Sequence, residues 1–417
     1  FLNHIFIIMV LAPYLGAVNF GILSVCITIL SVLLTISNFG FEKLLVIEFS
    51  NVSKSQSSKI FSNAFFAKML ITLSVCGLYI AFYLLSDGKS DNLHRVLIIL
   101  IPNLFFNSWI IFDAFNQASN NIRKSVIIKS LAIISILLIR FILVKLNYDF
   151  ETIIATYVLE QILIFSYFFI ANKEFNFKIL VQDLNKSVIK RILNSGFYLV
   201  SSSICVLIYS RVNQLIVSAY LDKSFVGSFS LILSIVEIPF SFAAVLSLLL
   251  LPVFSKLELN KNPEYENSVM SIFFFLGLIS SLFFLFIGFF IKKYFASNFP
   301  DFAEFFTLSL LMLPFGFISY FVTLKMNAEN QFVNYLKMTF LSTLLTVILS
   351  IFLITSYGKT GAILGYISGQ VLSSVFVPIL FINSYLNKLY ASFKLLLKPK
   401  SVFLTLINVY EDRSKSY

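Results

Sequence analysis

Charged residues are scarce in this chain of 417 residues, since Asp, Glu, Lys and Arg make up only 12% of it. An ordinary soluble domain contains about twice that share. Hydrophobic residues make up 59%, and the mean hydropathy is +0.92. A chain this apolar cannot cover itself with polar surface in water, which excludes a soluble globular protein. In a bilayer the lipid solvates the apolar exterior, so the composition predicts a membrane protein.

The residues that build most catalytic and metal sites are scarce too. The three cysteines, Cys26, Cys76 and Cys205, lie inside apolar runs and form no CxxC pair, and the two histidines, His4 and His94, form no metal cluster. No Gly-rich phosphate loop and no GxSxG motif is present. We therefore predict no metal, no cofactor and no enzymatic activity. The net charge of +11 is interpreted as Lys and Arg in cytoplasmic loops rather than as a nucleic-acid surface.

Long apolar runs dominate what is present, and the 50 Phe residues suit lipid-facing helices better than strands that alternate apolar and polar residues. A spanning helix needs about 20 apolar residues. The sequence predicts an all-α polytopic membrane protein with about twelve transmembrane helices. Because the chain begins with Phe inside an apolar run, we expect residues to precede it. The predicted spans lie near 1–16, 20–47, 60–86, 95–115, 125–147, 152–171, 195–221, 225–254, 267–291, 302–325, 333–356 and 361–387.

The longest internal connection, near 172–194, is basic and divides the spans into two sets of about six. We predict an amino-terminal lobe with its linker over 1–190, a carboxyl-terminal lobe over 191–388 and a basic cytoplasmic tail over 389–417. With both termini in the cytoplasm, the inside loops hold about 21 Lys and Arg and the outside loops about 7. This bias supports both termini inside.

The two halves resemble each other at two places, at offsets of about 206 and about 209 residues. The matching residues are Tyr14, Leu15, Gly21 and Ser24 with Tyr220, Leu221, Gly227 and Ser230, then Tyr157, Gln161 and Leu163 with Tyr366, Gln370 and Leu372. The matches favour a duplicated six-helix unit. Two copies with an even number of spans would be related by a pseudo-two-fold axis along the membrane normal, with a cavity between the lobes.

Polar and charged residues within predicted spans are candidate functional residues, because charge at membrane depth usually faces a protein interior or a water-filled path. Arg211 lies in the middle of the seventh predicted span, with Gln214 one turn later and Asn213 on the neighbouring face. A guanidinium binds two phosphate oxygens at once, so these three residues predict substrate binding. A structural Arg211 paired with Glu237 or Glu160 is the alternative.

Five further positions are candidates. Lys68 and Arg140 lie within predicted spans and would add to substrate binding, although Lys68 could instead extend to the cytoplasmic surface. Glu237 lies two residues before Pro239, which removes a helical hydrogen bond, and the pair predicts coupling or gating. Glu160 is given the same role. Each glutamate could equally form a structural salt bridge.

Several short motifs resemble those of Wzx-type polysaccharide flippases. They occur in the same order, and together they cover nearly the whole chain. They are YLGAVNFG at 14–21, NFG at 38–40, YSRVNQ at 209–214, VGSFS at 226–230, LP at 251–252 and YGKTGA at 357–362. Two departures are visible. Many relatives carry Arg where residues 12–14 read APY, and many carry Asp where Asn213 stands, which argues against a cation–carboxylate mechanism at those positions.

The resemblance implies a MATE-like fold of two six-helix bundles and membership of the multidrug/oligosaccharidyl-lipid/polysaccharide (MOP) exporter superfamily. It further implies a flippase in the bacterial inner membrane that moves an undecaprenyl-pyrophosphate-linked oligosaccharide, such as an O-antigen or capsule repeat unit, to the periplasmic leaflet by alternating access. A coupling ion, H+ or Na+, is compatible with it. The expected partners are the lipid-linked oligosaccharide, membrane lipids, a polysaccharide polymerase and a chain-length regulator, without nucleic acid. The alternatives are a cation-coupled multidrug exporter and a membrane polysaccharide polymerase.

Overall fold

The structure, a computed structural model, describes residues 2–50, 52, 54–85, 92–119, 121–172, 184–256, 263–329, 331–382 and 384–396. Every regular element in these ranges is a helix, with no strand among the described residues. By packing, the chain divides into two compact units, Leu2–Ile208 and Tyr209–Tyr417. The lobe bounds 1–190 and 191–388 stay predictions, and most of the predicted tail lies outside the described residues.

The amino-terminal unit is built from both short and long helices, with a π-helical turn at Ile7–Leu11. The long helices are rich in Ile, Leu, Val and Phe, which a bilayer-crossing segment requires. The α-helices are α1 Leu2–Phe6, α2 Ala12–Asn38, α3 Phe41–Ser50, α4 Lys54–Leu85, α5 Asn92–Leu100, α6 Asn103–Phe106, α7 Trp109–Ala118, α8 Ile122–Lys145 and α9 Phe150–Ala171. The next helix, α10 Lys186–Tyr220, starts in this unit and ends in the carboxyl-terminal one.

The carboxyl-terminal unit continues with α11 to α17. They are α11 Lys223–Lys256, α12 Pro263–Phe295, α13 Phe302–Ser309, α14 Met312–Ala328, α15 Phe332–Val371, α16 Val377–Phe381 and α17 Tyr385–Leu396, with a π-helical turn at Leu372–Phe376. Helix α14 packs against α11, α12 and α15 and so forms the middle of this unit. The last helix, α17, packs on α12.

Eight helical segments of the described chain are long and apolar enough to cross a membrane, and a ninth is added if the bent pair α13–α14 counts as one span. Two of the eight, Asn3–Asn38 and Val333–Phe381, have 36 and 49 residues, too long for single spans of about 20 residues. Gly16 (φ 69°) and Gly358 (φ 57°) break them in a left-handed conformation that suits glycine. The polytopic all-α fold is confirmed, while twelve spans and the pseudo-two-fold axis stay predictions.

The helix backbones approach closely at the glycines of the final hairpin. A Cβ on Gly361 would lie 1.9 Å from the carbonyl oxygen of Leu353, and one on Gly365 would lie 2.9 Å from the Ser350 hydroxyl. Small residues at spacing four let two helix backbones approach this closely. The segments before and after Gly358 therefore lie side by side.

Phenylalanine fills the cores of both units. In the amino-terminal unit Phe61 packs edge-on against Phe112 with ring centroids 4.8 Å apart, inside a cluster that joins α3, α4, α7 and α9. In the carboxyl-terminal unit Phe321 of α14 contacts Phe254 and Phe273. Edge-to-face pairs of this kind add to the packing of the buried rings, so each unit has an aromatic core of its own.

Candidate functional site

Arg211 is bound to one of the two carboxylates that the sequence offered as its partner. Its Nη1 donates to Oε1 of Glu237 at 3.0 Å, which joins α10 to α11 within the carboxyl-terminal unit. The Arg211 side chain is 37% exposed and that of Glu237 is 24% exposed. A guanidinium has five N–H donors, and the described contacts of Arg211 use one. The pair is therefore accessible and leaves donors for another anion.

The two polar neighbours of Arg211 on α10 are buried and hydrogen-bonded. The Oδ1 of Asn213 accepts from the Ser350 hydroxyl at 2.5 Å, which ties α10 to α15. The Nε2 of Gln214 donates to the Ser230 hydroxyl at 2.8 Å, which ties α10 to α11. These bonds fix the rotation of α10 about its axis. They hold Arg211 on the accessible side while Asn213 and Gln214 face the interior.

Glu237 and Pro239 lie within one uninterrupted helix, α11. Pro239 has no N–H to donate, and the Ser241 hydroxyl donates to the backbone carbonyl of Glu237 at 3.2 Å. Phe240, next to the proline, packs so closely on α14 that a Cβ on Gly316 would lie 2.3 Å from its ring. The Phe240 ring therefore contacts α14 one residue after Pro239.

Arg140 forms a second arginine–glutamate pair, in the amino-terminal unit. Its Nη2 donates to Oε2 of Glu160 at 2.8 Å, its Nε to the Thr156 hydroxyl at 2.9 Å and its Nη1 to Oδ1 of Asn3 at 3.1 Å. The guanidinium also lies 4.1 Å from the centroid of the Tyr157 ring. The Arg140 side chain is fully buried. Each nitrogen of this guanidinium has a partner inside the protein.

Lys68 is buried as well, and neutral oxygens surround its ammonium group. The Nζ donates to the Ser37 hydroxyl at 2.9 Å and to Oδ1 of Asn38 at 2.5 Å. Both acceptors lie in the last turn of α2, where unpaired backbone carbonyls favour a cation. Glu42 adds electrostatic stabilisation. Lys68 therefore binds the end of α2 rather than extending to the surface.

The structure also contains an ion cluster that the sequence analysis missed. Glu266 of α12 accepts from Lys325 of α14 at 2.6 Å and from Lys388 of α17 at 2.9 Å, and Lys325 also pairs with Glu329. Glu266 and Lys325 are each 5% exposed. Sequence spacing gave no signal for it, because the partners are 59 and 122 residues apart.

Hydrogen bonds fasten α17 beside this cluster. The Tyr385 hydroxyl donates to the backbone carbonyl of Ser374 at 2.6 Å, and the Ser271 hydroxyl donates to the carbonyl of Ser392 at 2.8 Å. Burial raises the pKa of Tyr385 well above its ordinary value, so this side chain stays a neutral donor at physiological pH. The short helix is thus held at both ends.

In the described ranges no group of three or more His, Cys, Asp or Glu is placed to hold an ion. Cys26 and Cys76 are buried thiols, and the Cys26 thiol donates to the backbone carbonyl of Leu93 at 3.5 Å. The side chain of Cys205 lies outside the described ones. The chemistry available at Arg211 is therefore the binding of an anion.

Comparisons with solved structures agree with this architecture. The chain is similar to "Lipid II flippase MurJ, inward closed conformation", with 17% identity, a TM-score of 0.76 and coverage of 97% of this chain and 90% of that one. It is also similar to an inward-facing multidrug resistance MATE family transporter of the MOP superfamily, with 12% identity, a TM-score of 0.73 and 95% of each chain covered. No curated protein matches the sequence significantly.

At these identities the likeness shows a shared fold, and that fold is the MATE-like one expected from the sequence motifs. The two matched structures are titled as a flippase and as a multidrug resistance transporter. The family model "Polysaccharide biosynthesis protein" matches residues 3–258, more than half of the chain. The protein is therefore a multi-pass membrane protein that belongs to the polysaccharide biosynthesis protein family.

Proposed function

We propose that the protein is a flippase for an undecaprenyl-pyrophosphate-linked oligosaccharide, an O-antigen or capsule repeat unit. The family match supports a role in polysaccharide biosynthesis, and the fold is that of proteins titled as a lipid II flippase and as a multidrug resistance transporter. A pyrophosphate with its sugars cannot cross about 30 Å of hydrocarbon unaided. The bacterial inner membrane, cytoplasmic termini and alternating access belong to the same proposal.

The observation that carries the proposal is the accessible guanidinium of Arg211, held by a single carboxylate. Arg–phosphate hydrogen bonds are charge-assisted and often bidentate. An arriving phosphate would replace Glu237 as the partner, so Arg211 would be neutralised both before and during transport. Glu237 would then control binding and release, and Pro239 would keep that part of α11 adaptable. These are the coupling roles proposed for the two residues.

The contacts of the remaining candidate residues indicate how directly each could bind the substrate. Asn213 and Gln214 would act by orienting Arg211, because their polar groups are already bound to Ser350 and Ser230. Arg140 and Lys68 are buried with protein partners. Each would have to give up those bonds to reach a substrate, and so would Glu160 to act in gating. The proposal therefore depends mainly on Arg211.

The test is transport by the Arg211→Ala variant. The purified protein would be reconstituted in liposomes with lipid-linked oligosaccharide from cells that lack the gene, and movement to the opposite leaflet would be measured by enzymatic accessibility of the sugar. Losing two charge-assisted hydrogen bonds of about 1.5–3 kcal/mol each should lower the transport rate at least about 100-fold, since every 1.4 kcal/mol is tenfold.

The control is Lys359→Ala, which removes an accessible cation that pairs with Asp301 and should leave transport nearly unchanged. Normal transport by Arg211→Ala, or faster transport by Arg211→Glu, would contradict the proposal. Efflux of a cationic dye by the wild-type protein without oligosaccharide transport would support the multidrug exporter, for which the fold shared with a MATE transporter is the only argument. A polymerase, a chain-length regulator and a coupling ion, H+ or Na+, remain expectations.

A further inference from the structure

Helix α14 is polar on its accessible side, the reverse of what a lipid-facing helix presents. Most of its residues are buried, including every Leu, Val and Met. The partly exposed ones are Phe315, Ser319, Tyr320, Thr323, Asn327 and Ala328. Four of these six carry a hydroxyl or an amide, and their spacing of about four residues places them on one face. The accessible face of α14 therefore offers hydrogen-bonding groups.

Helix α12, its neighbour, shows the ordinary pattern. Between Phe275 and Phe290 its exposed residues are all apolar, and Phe286 and Phe289 are 80% and 71% exposed. Such a face suits hydrocarbon. The two helices pack against each other, yet one exposes phenylalanine and the other Ser, Thr and Tyr. The face of α14 thus matches a water-filled path better than lipid.

The polar face of α14 continues to the Arg211 site. The Tyr320 ring centroid lies 6.1 Å from that of Phe240, which follows Glu237 by three residues on α11. The Tyr335 hydroxyl lies 3.4 Å from that of Thr323. The Arg211–Glu237 pair is partly exposed, and charge beside lipid is costly, so this pair and the polar face of α14 suit the same aqueous side. Together Arg211, Glu237, Tyr320, Thr323 and Tyr335 form one polar strip inside the carboxyl-terminal unit.

Packing fixes the ring of Tyr320 in this strip. Its centroid lies 6.1 Å from that of Phe240, and its backbone carbonyl accepts from the Ser247 hydroxyl at 3.5 Å. The Ser319 and Thr323 hydroxyls donate to carbonyls of their own helix, so their oxygens remain acceptors. A fixed aromatic ring with a phenol group, flanked by hydroxyl oxygens, can pack on and hydrogen-bond to a neutral polyol.

We propose that this strip binds the carbohydrate of the lipid-linked substrate, and that Tyr320 and Tyr335 are specificity-determining residues for the sugars. The inference rests on the proposed function, in which Arg211 takes the pyrophosphate. Arg211 supplies charge for an anion, whereas the α14 face supplies neutral donors and acceptors. The division assigns the common headgroup to α10 and the variable sugars to α14 and α15.

The experiment measures the affinity of the purified full-length protein in nanodiscs for two probes. One is lipid-linked oligosaccharide extracted from cells that lack the gene, and the other is undecaprenyl pyrophosphate without sugar. The variants are Tyr320→Phe and Tyr335→Phe, which keep the rings, with Tyr357→Phe as the control because Tyr357 is 62% exposed and outside the strip. Arg211→Ala is measured beside them.

We expect the wild type to bind the oligosaccharide probe more tightly than undecaprenyl pyrophosphate. Tyr320→Phe should weaken binding of the oligosaccharide probe about threefold to tenfold, as the loss of one neutral hydrogen bond would, and leave binding of the sugar-free probe unchanged. Arg211→Ala should weaken binding of both probes. Equal affinity of the wild type for both probes, or equal effects of Tyr320→Phe and Tyr357→Phe, would overturn the inference.

Failure of the proposed function has a different signature. If Arg211→Ala bound both probes as the wild type does, the pyrophosphate site would be wrong, whatever the tyrosine variants did. If Tyr320→Phe weakened binding of both probes equally, Tyr320 would act through Glu237 or through the fold and would not contact the sugar. Thermal unfolding of each variant identifies any loss of folded protein.

Discussion

The two units each pair an arginine with a glutamate, but they leave different amounts of the guanidinium free. Arg140 in the amino-terminal unit is fully buried and donates to a carboxylate, a hydroxyl and an amide while covering a Tyr ring. Arg211 in the carboxyl-terminal unit is 37% exposed, with one described bond to Glu237. The comparison shows that a charged residue within a membrane-spanning helix is not by itself evidence of a binding site.

The energetics of the two pairs should differ accordingly. A buried ion pair is sensitive to loss of one partner, because the other charge is left uncompensated in a poorly polarisable interior. An accessible pair is solvated by water and stabilises little. We therefore assign Arg140 mainly to holding α8 and α9 together, and Arg211 to binding.

The largest expected effect is on stability, from Arg140→Met. Removing the guanidinium leaves the mostly covered Glu160 carboxylate, 14% exposed, without its cation, which should lower the free energy of unfolding by about 3–5 kcal/mol. The measurement is denaturant unfolding of the purified protein, with Arg211→Met as the matched variant. Arg211→Met should change the same quantity by no more than about 1 kcal/mol.

Adding Glu160→Met to Arg140→Met removes the uncompensated charge and should restore much of the lost stability. If Arg140→Met unfolded no more easily than Arg211→Met, or if the double variant were less stable than the single one, the contrast between the two arginines would be wrong.

A smaller effect is expected from Glu237→Gln, which keeps the shape of the side chain and removes the anion that competes for Arg211. The affinity for undecaprenyl pyrophosphate should rise about twofold to fivefold, the equivalent of an accessible ion pair of up to about 1 kcal/mol. Equilibrium binding in nanodiscs measures this. The matched Glu160→Gln variant should leave the affinity unchanged, and weaker binding by Glu237→Gln would show that Glu237 helps the substrate rather than competing with it.

The smallest effect concerns Asp149, which precedes the helix that carries Glu160. Its Oδ1 accepts from the Thr152 hydroxyl at 2.5 Å, and this bond lowers the pKa of the Asp149 carboxyl. A carboxyl with a lowered folded-state pKa stabilises the protein above its ordinary pKa of about 3.9, and this contribution is lost as the pH falls through the folded value.

The measurement is the unfolding midpoint of wild type and Asp149→Asn between pH 6 and pH 3. The difference between them should shrink as the pH falls below about 4, the ordinary range of Asp. A difference that stayed constant with pH would show that the Asp149 charge has no part in capping α9.

Sequence reasoning reached the features that are encoded locally. Apolar length predicts the spanning helices, and it depends on one segment of the chain at a time. Glu237 was one of two partners considered for Arg211, because few charged residues lie within the predicted spans. The composition also excludes a soluble protein, because it needs no knowledge of which helices pack together.

The features that could not be predicted from the sequence depend on which helices become neighbours in the fold. Arg140 and Glu160 were considered as separate candidates, because nothing in a 20-residue separation indicates that α8 and α9 bring them together. Lys68 was expected near the surface, but the end of α2 covers it. The accessible face of α14 was invisible as well, since every residue of an apolar run looks equally buried until its neighbours are known.

The cluster around Glu266 determines where this chain can be shortened. Helix α17 begins only at Tyr385, and a truncation before it would remove Lys388 and leave Glu266 with Lys325 as its cation. It would also remove the Tyr385 and Ser392 hydroxyls that donate to the backbone carbonyls of Ser374 and Asn267. A fluorescent protein or an affinity tag is therefore better attached after residue 396 than at the end of the last spanning helix. The final short helix is part of the folded membrane domain and should be retained in any shortened protein made for biochemical work.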